Sequence, residues 1–293
     1  MPDPSLRLDR PATVDAFEES AGPFLRAREA ENCLMLGLCS QLRAGSATLP
    51  VRWPYFGVIR EGREVAGAAL VAGFLVVLSN PIPDAALPLL VADLERSQPD
   101  VPGVVGETNA SRQFAEQWAR TTGRSHRLNL SERIFRLERV IAPRPVAGAM
   151  RPVAEADREL IARWLAAFTT EALGQDVDMA RMREFAGRWI AREARAMYFW
   201  VVDGEPVSMV GVSGETPNGI RVAPVYTPSD LRGRGYATAL TAAVTQKQLD
   251  GGKRYCFLFT DLANPTSNHI YRSIGYEPVA DASDYRFELP AAP

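Results

Sequence analysis

Residues 225–237, VYTPSDLRGRGYA, join an apolar run to a helical pattern through a glycine-rich turn. The first turn of a helix leaves main-chain N–H groups without partners, and the helix dipole places partial positive charge there. Gly233 and Gly235 let the main chain approach a phosphate closely or adopt a positive φ angle, and Arg232 and Arg234 add positive charge. The segment therefore predicts an anion site at a strand–helix junction.

Three kinds of phosphate-binding loop can use such a junction. The segment is not a Walker A motif, because it lacks Gly-Lys-Ser/Thr. Residues 233–238 match the Rossmann fingerprint poorly, since the third glycine is missing, although Asp261 follows the next predicted strand roughly where a ribose-binding carboxylate would lie. The third kind is the diphosphate motif Arg/Gln-x-x-Gly-x-Gly/Ala, and residues 232–237, RGRGYA, match it.

This motif is typical of the GNAT superfamily of acetyl-CoA-dependent N-acetyltransferases, and the chain resembles that family on both sides of it. Upstream, residues 225–228 match the Val-x-x-Pro-like end of the family's strand. Downstream, the family's helix pattern Asn-x-x-Ser/Ala-x-x-x-Tyr-x-x-x-Gly-Phe/Tyr is matched by Asn264, Ser267, Tyr271, Gly275 and Tyr276. The resemblance spans about residues 149–290.

The resemblance implies a fold and a cofactor. The fold is α+β, and each domain has a mixed, mostly antiparallel sheet flanked by helices, with a central strand pair that splays apart. Acetyl-CoA would bind at that splayed edge as the co-substrate. Pro224 and Pro228 suit such an edge or a bulge, because proline removes a donor from the strand ladder.

The resemblance also implies roles for individual residues. The main chain of residues 225–227 would hydrogen-bond the pantetheine arm, and residues 232–237 would wrap the diphosphate. Asn264 would contact the pantetheine or cap a helix, and Ser267 lies on the same helix. Tyr271 would be the general acid that protonates the departing CoA thiolate. The implied cofactor-binding residues are Val225, Tyr226, Thr227, Arg232, Gly233, Arg234, Gly235, Tyr236, Ala237, Asn264 and Ser267.

A primary amine has a pKa of about 10, so an amine acceptor must lose a proton before it attacks the thioester. Glu215, at the end of a predicted strand, is the candidate base, and Glu171 and Asp261 are alternatives; each could instead be a surface carboxylate. Tyr271 could likewise be a core aromatic residue with a satisfied hydroxyl. Cys256 is predicted to be a small core residue, because direct transfer in a ternary complex needs no covalent nucleophile.

The composition narrows the class of protein. A net charge of −2 argues against a nucleic-acid partner, and no apolar run is long enough to span a membrane. Three cysteines without a C-x-x-C pair indicate reduced thiols in a cytoplasmic protein, and two histidines provide almost no material for a metal site. The oligomeric state is not indicated.

Residues 140–150 are rich in proline, glycine and alanine. This composition predicts a linker between two domains, 1–142 and 149–293. The first half repeats the element order of the second from residue 55 onward, which suggests a tandem pair. Residues 80–83, Asn-Pro-Ile-Pro, replace the diphosphate loop there, so the first half is not expected to bind CoA in the usual way.

Hydrophobic periodicity predicts the individual elements of both halves. In the first half they are strands at 55–58, 65–71 and 74–79, a helix at 85–96, an apolar segment at 101–105, a helix at 109–121, and strands at 126–130 and 134–137. In the second half they are a strand at 150–153, helices at 155–173 and 179–194, strands at 197–202, 207–213 and 219–226, a helix at 235–249, a strand at 255–260, a helix at 265–274 and a strand at 285–289.

The predicted function is transfer of an acetyl group from acetyl-CoA to a primary amine of a small molecule, by direct attack in a ternary complex. A non-catalytic acyl-CoA sensor or scaffold and a nucleotide-dependent enzyme of the Rossmann type are the alternatives. Transfer from a charged tRNA is disfavoured by the acidic balance of the chain.

Overall fold

The computed structural model describes residues 5–45, 54–73, 75–173, 177–192 and 194–288. These residues form two compact units. Unit 1 comprises the described residues up to Ile134, the segment Asp261–Ala263 and the described residues from Val279. Unit 2 comprises the described residues of Phe135–Thr260 and Asn264–Pro278. The units therefore do not divide at the linker alone, and the predicted domains 1–142 and 149–293 stay a prediction.

Unit 1 is built on a sheet with helices on both faces. Its elements are β1 (Leu6–Asp9), α1 (Val14–Arg26), α2 (Cys33–Arg43), β2 (Tyr55–Glu61), β3 (Glu64–Val71), β4 (Val76–Leu78), α3 (Leu87–Ser97), β5 (Gly103–Glu107), α4 (Thr108–Thr122), most of β6 (Ser125–Leu137) and most of β12 (Glu277–Glu288). The strand order is β1-β2-β3-β4-β5-β12-β6. Strands β4 and β5 are parallel. The pairs β1–β2, β2–β3, β3–β4 and β5–β12 are antiparallel.

The two faces of the unit 1 sheet bury separate cores. Leu90 of α3 and Phe114 of α4 pack on one face, and Phe17 and Leu25 of α1 pack on the other. All four side chains are fully buried. A strand pattern with apolar residues on both faces, as in β2 and β3, fits a sheet covered on both sides.

Unit 2 has the same kind of architecture. Its elements are β7 (Ala149–Pro152), α5 (Arg158–Leu173), α6 (Met179–Ala191), β8 (Arg195–Val202), β9 (Glu205–Glu215), β10 (Gly219–Tyr226), α7 (Tyr236–Asp250), β11 (Tyr255–Asp261) and α8 (Pro265–Ser273). The strand order is β11-β10-β9-β8-β7, with β10 and β11 parallel and the other pairs antiparallel.

The helices of unit 2 also cover both faces of its sheet. Leu240 of α7 and Tyr271 of α8 pack on one face, and Trp164 of α5 and Trp189 of α6 pack on the other. Helix α6 begins at Asp178, whose side chain accepts a hydrogen bond of 2.8 Å from a main-chain N–H group in the first turn. The two helices predicted at 155–173 and 179–194 therefore form a packed layer on this face.

The two halves repeat one order of elements. Each runs β-α-α-β-β-β-α-β-α-β along the chain, from β1 to β6 and from β7 to β12. This agrees with the predicted tandem α+β fold, in which each sheet is mixed and mostly antiparallel.

Three features of the fold differ from the sequence-based expectation. Strand β1 and helices α1 and α2 were not predicted, and β6 is one continuous strand where two were expected. The last strand, β12, begins at Glu277 and not at residue 285. Phe74, Glu193 and Leu289, which belong to predicted elements, lie outside the described part of the chain.

Candidate active site

Strands β10 and β11 separate part-way along their length. Their parallel pairing ends where Arg221 lies opposite Phe257. Strand β10 then continues alongside β9 as far as Tyr226. Within the described residues, 222–226 have no ladder partner on the β11 side. The sheet therefore opens beside β10, and main-chain groups there are free to pair with an extended ligand.

A bulge in β10 lies at this opening. The register of β10 against β9 shifts between Val222 and Val225, so Ala223 and Pro224 form the irregular part of the strand. Gly211 of β9 accommodates the bulge, because an added Cβ there would lie 2.8 Å from the Ala223 carbonyl oxygen and 2.9 Å from Pro224 Cδ. Pro224 is thus found at a bulge, as its residue type predicts.

We expect Gly211→Ala to lower the free energy of unfolding by about 1–3 kcal/mol, because the new methyl group overpacks the bulge. The loss is measured by chemical denaturation. Gly187→Ala is the matched control, since its Cβ would meet mainly the flexible end of the Arg158 side chain. Equal stability of Gly211→Ala and the unsubstituted protein would contradict the role assigned to Gly211.

The segment after β10 has the conformation that a phosphate-binding loop requires. A short 3-10 turn, Ser229–Leu231, leads to Gly233 and Gly235, whose φ angles are +77° and +83°. These angles favour glycine, as the sequence predicts. Gly235 is the N-cap of α7, and no side chain of the described residues caps the first turn of that helix. The exposed residues 232–235 therefore precede a helix N-terminus that an anion can approach.

The Arg232 side chain is held by protein groups. Its Nε donates to the Thr227 carbonyl oxygen at 2.9 Å, and its Nη2 donates to Glu171 Oε2 at 2.5 Å. The other oxygen of the Glu171 carboxylate accepts from the Tyr226 hydroxyl at 3.1 Å. A carboxylate on α5 is thus connected to the loop that follows β10.

These contacts decide the protonation of the Glu171 carboxyl group. The hydrogen bond from Arg232 lowers its pKa, burial opposes that shift, and the Tyr226 hydroxyl lowers the pKa further. Burial raises the pKa of Tyr226, and the hydrogen bond to Glu171 raises it as well. A carboxylate with a lowered pKa is a poor proton acceptor at neutral pH, so this environment does not favour Glu171 as the general base.

Helix α8 begins with the predicted asparagine. Asn264 is its N-cap, and the Asn264 side chain accepts a hydrogen bond of 3.0 Å from the Ser267 main-chain N–H. Pro265 follows in the first turn, where the absence of an N–H group costs nothing. The capping role expected for Asn264 is therefore present, and its side-chain amide donors remain available for other partners.

Tyr271 of α8 has the properties of a neutral proton donor. Its side chain is 7 % exposed, and burial raises its pKa to about 12. In the described residues its hydroxyl makes no hydrogen bond, whereas the hydroxyl of the neighbouring Tyr276 bonds Thr245 Oγ1 at 2.8 Å. The two rings meet edge-to-face with centroids 6.0 Å apart. The Tyr271 hydroxyl therefore stays protonated at neutral pH and lacks a protein partner.

The family of this region follows from comparison with known proteins. Residues 159–276 match the model of the acetyltransferase (GNAT) family. This part of the chain is similar to the GNAT family. The match contains the β10–β11 opening, the glycine loop, Asn264 and Tyr271. Similarity to the GNAT family supports acyl transfer from an acyl-CoA as the activity.

Solved structures described as GNAT proteins share the fold over about three quarters of this chain or more. A GCN5-related N-acetyltransferase from Sphaerobacter thermophilus is 15 % identical, with a TM-score of 0.60 over 100 % of this chain and 98 % of its own. A tandem GNAT protein from the clavulanic acid biosynthesis pathway is 14 % identical, with a TM-score of 0.57 over 98 % and 100 %. A GCN5-related N-acetyltransferase from Kribbella flavida is 19 % identical, with a TM-score of 0.55 over 77 % and 88 %. No curated protein matches the chain.

The candidate bases lie apart from the GNAT loop or have other partners. Glu215 pairs with Lys253, and it lies opposite Ile220 at the start of β10. Ile220 is six residues, about 20 Å of strand, from the loop end of β10 at Tyr226. Asp261 ends β11, and its side chain already accepts a hydrogen bond of 2.8 Å from the Ala263 main-chain N–H. The structure thus brings Glu171, and not Glu215, together with the loop.

Several other side chains of the GNAT region are part of the core. Cys256 is fully buried and burial raises the pKa of its thiol to about 12, which agrees with a structural role. Trp164 and Trp189 are buried, while Phe168 and Phe185 are partly buried against the same cluster. The indole of Trp164 lies 6.1 Å from the Tyr226 ring, so α5 packs on the loop end of β10.

The position in unit 1 that corresponds to the GNAT loop is closed by its own contacts. Strands β4 and β5 stay side by side, since an added Cβ on Gly106 would lie 2.9 Å from Leu78 Cβ. The Asn32 side chain binds Asn80, two residues after the end of β4. It accepts from the Asn80 N–H at 2.8 Å and donates to the Asn80 carbonyl oxygen at 2.9 Å. Ile82 covers Gly67 of β3. These contacts favour the prediction that unit 1 binds no CoA in the usual way.

Two features are absent from the described residues. No helix among them is both long enough and apolar enough to cross a bilayer. No three histidine, cysteine, aspartate or glutamate side chains in that part of the chain are grouped as metal ligands would be.

The sequence did not indicate two of the contacts at the site. The first is the ion pair of Glu171 with Arg232, which joins residues 61 positions apart. The second is the buried hydrogen bond between Ser208 and Thr227, with 2.9 Å between the hydroxyl oxygens. The family's Val-x-x-Pro-like pattern identifies the place of Thr227, but nothing in it points to β9.

Proposed function

We propose that this protein transfers an acetyl group from acetyl-CoA to a primary amine of a small-molecule acceptor, by direct attack in a ternary complex. The observation on which this depends is the opening between β10 and β11 that leads directly to the glycine loop and the N-terminus of α7. One elongated ligand with a diphosphate and an amide-containing arm suits all three features.

The chain's own groups would hold the cofactor in two ways. The free edge of β10 near Val225 would pair with the amides of the pantetheine arm, as an added strand does. Main-chain N–H groups of residues 233–237 would bind the diphosphate, and Arg234 would add charge, because in the described residues it is bonded only to the Asp230 carbonyl oxygen, at 3.1 Å. Asn264 and Ser267 stay candidates for contacts with the arm.

The transfer step would proceed as follows. The amine nitrogen attacks the thioester carbonyl carbon, a C–N bond forms and the C–S bond breaks, leaving its electron pair on sulfur. Tyr271 donates its hydroxyl proton to that sulfur and later recovers one from solvent. A free thiol has a pKa of about 8.5, so donation from a phenol with a pKa of about 12 needs a poorly solvated thiolate beside it.

The amine must also lose a proton. Glu171 and Glu215 are both ion-paired, so neither is ready to accept a proton directly. We propose that water carries this proton away, because Glu215, the base predicted from the sequence, is paired with Lys253 at the far end of β10. The acyl group, the acceptor class and a cytoplasmic location are parts of the same proposal.

The experiment is a calorimetric titration with acetyl-CoA followed by a free-thiol assay with a panel of primary amines. We expect binding that CoA competes for and NAD does not, and thiol release with at least one amine. Absence of binding would contradict the proposal. Binding with no thiol release for any amine would favour an acyl-CoA sensor or scaffold.

A further inference from the structure

The two arginines of the glycine loop have different partners. Arg234 donates to a main-chain carbonyl oxygen, and no carboxylate among the described residues neutralises it. Arg232 forms an ion pair with Glu171, with 2.5 Å between Nη2 and Oε2. Two arginine charges are expected to attract the diphosphate. Of these, the charge of Arg232 is already paired with a carboxylate of the protein, and the charge of Arg234 is not.

The Glu171 carboxylate is held in place from two sides. The Tyr226 hydroxyl donates to its second oxygen at 3.1 Å, and the Arg232 guanidinium lies over the Tyr226 ring, 5.8 Å from its centroid. Arg232 is 50 % exposed and Glu171 is 45 % exposed, so a ligand in the loop can reach this pair from solvent.

We propose that Glu171 competes with the cofactor diphosphate for Arg232, and that this carboxylate thereby limits the affinity of the protein for CoA. The inference rests on the proposed function, because it takes residues 232–237 as the diphosphate site. Glu171 acts through Arg232, so it is a positioning residue and not a catalytic one.

The expected sign follows from charge. A diphosphate approaching the loop meets Arg232 already neutralised, and it must share or displace the Glu171 carboxylate. Even without displacement, a second anion near the diphosphate weakens binding in the same direction. Exposed ion pairs contribute little, so removing this one should change the affinity by about two- to fivefold. Glu171 weakens the binding of acetyl-CoA and of CoA equally, because both carry the diphosphate. It therefore also favours release of the product CoA.

A structural role for Glu171 predicts the opposite sign. If the carboxylate mainly held the loop in its binding conformation, its removal would loosen the contact between Arg232 and the Thr227 carbonyl oxygen and weaken binding. The direction of the change therefore separates the two roles.

The test compares dissociation constants from calorimetry for the full chain and its variants. Glu171→Gln keeps a hydrogen-bonding side chain next to Tyr226 but removes the charge. Glu159→Gln is the matched control, because Glu159 lies on the same helix and pairs with Arg183 at 2.9 Å with similar exposure. The probes are CoA and S-acetylpantetheine, which lacks the diphosphate. Thermal unfolding checks that each variant is folded.

We expect Glu171→Gln to bind CoA about two- to fivefold more tightly than the unsubstituted protein, with the gain smaller at high salt. The gain should vanish in the Arg232→Gln background, for S-acetylpantetheine and in Glu159→Gln. Unchanged or weaker CoA binding by Glu171→Gln, or an equal gain in the Arg232→Gln background, would overturn the inference. Failure of the unsubstituted protein to bind CoA would instead refute the proposed function itself.

Discussion

Tyr271→Phe is expected to slow acetyl transfer about 100-fold or more, within the range attributed to a general acid. Its affinity for acetyl-CoA should stay within about twofold, because the phenyl ring keeps the packing of α8 and only the hydroxyl is lost. Since that hydroxyl makes no hydrogen bond in the described residues, the change leaves no protein group without a partner. The measurement is thiol release under saturating acetyl-CoA, beside a calorimetric titration.

Tyr276→Phe is the control for this prediction. It removes a hydroxyl from the neighbouring ring, where it bonds Thr245, and should lower stability without a comparable loss of transfer rate. The pH profile provides a second check. Because burial raises the pKa of Tyr271 to about 12, its ionisation should not reduce activity between pH 7 and 10, while deprotonation of the amine should increase it. Full activity of Tyr271→Phe would remove Tyr271 from the mechanism.

Gly235→Ala is expected to weaken acetyl-CoA binding about tenfold or more. A side chain at a φ angle of +83° costs about 1–2 kcal/mol of conformational strain, which the loop would relieve by moving its N–H groups away from the diphosphate. The added Cβ would also lie 3.5 Å from Val146, an ordinary contact, so a direct clash is not the cause. Calorimetric titration with acetyl-CoA measures the loss.

Gly204→Ala is the matched control for backbone strain. Gly204 has a φ angle of +86° in the turn between β8 and β9, and an added Cβ there would meet nothing within 4 Å. Both variants should lose similar stability in chemical denaturation, and only Gly235→Ala should lose cofactor affinity. Equal affinities of the two variants would show that the loop does not contact the cofactor.

The sequence predicted the parts of the site that depend on local backbone chemistry. The positive φ angles of Gly233 and Gly235 follow from residue type, and the N-cap at Asn264 follows from an asparagine followed by proline. Pro224 similarly marks the bulge of β10. Each of these features depends on a few consecutive residues. The local sequence pattern and the family resemblance can therefore both predict it. The roles assigned to these residues in catalysis stay predictions.

Contacts between segments that are distant along the chain could not be predicted from the sequence. The pair of Glu171 with Arg232 forms only because α5 packs at the loop end of β10, and no local pattern encodes that packing. Glu215 was predicted as the base because it lies at a strand end. In the structure it lies opposite Ile220 in the β9–β10 hairpin, and its carboxylate pairs with Lys253, which follows α7. The position of a residue at the end of a strand does not show whether that end lies near the loop or at the opposite edge of the sheet.

Missed elements have a similar physical reason. Helix α1 contains Gly22 and Pro23, two residues that normally indicate a break. Its N-cap at Thr13 and the buried spacing of Phe17 and Leu25 nevertheless form a regular helix, because tertiary burial outweighs the low propensity. In β6, two strands were predicted at 126–130 and 134–137, whereas the strand continues through the polar residues between them to Leu137.

A crystal structure of the protein with acetyl-CoA tests the central claim most directly. We predict the diphosphate on the main-chain N–H groups of residues 233–237, the pantetheine arm beside Val225 in the gap between β10 and β11, and the sulfur next to the Tyr271 hydroxyl. Acetyl-CoA bound elsewhere, with the β10–β11 gap left empty, would contradict the account.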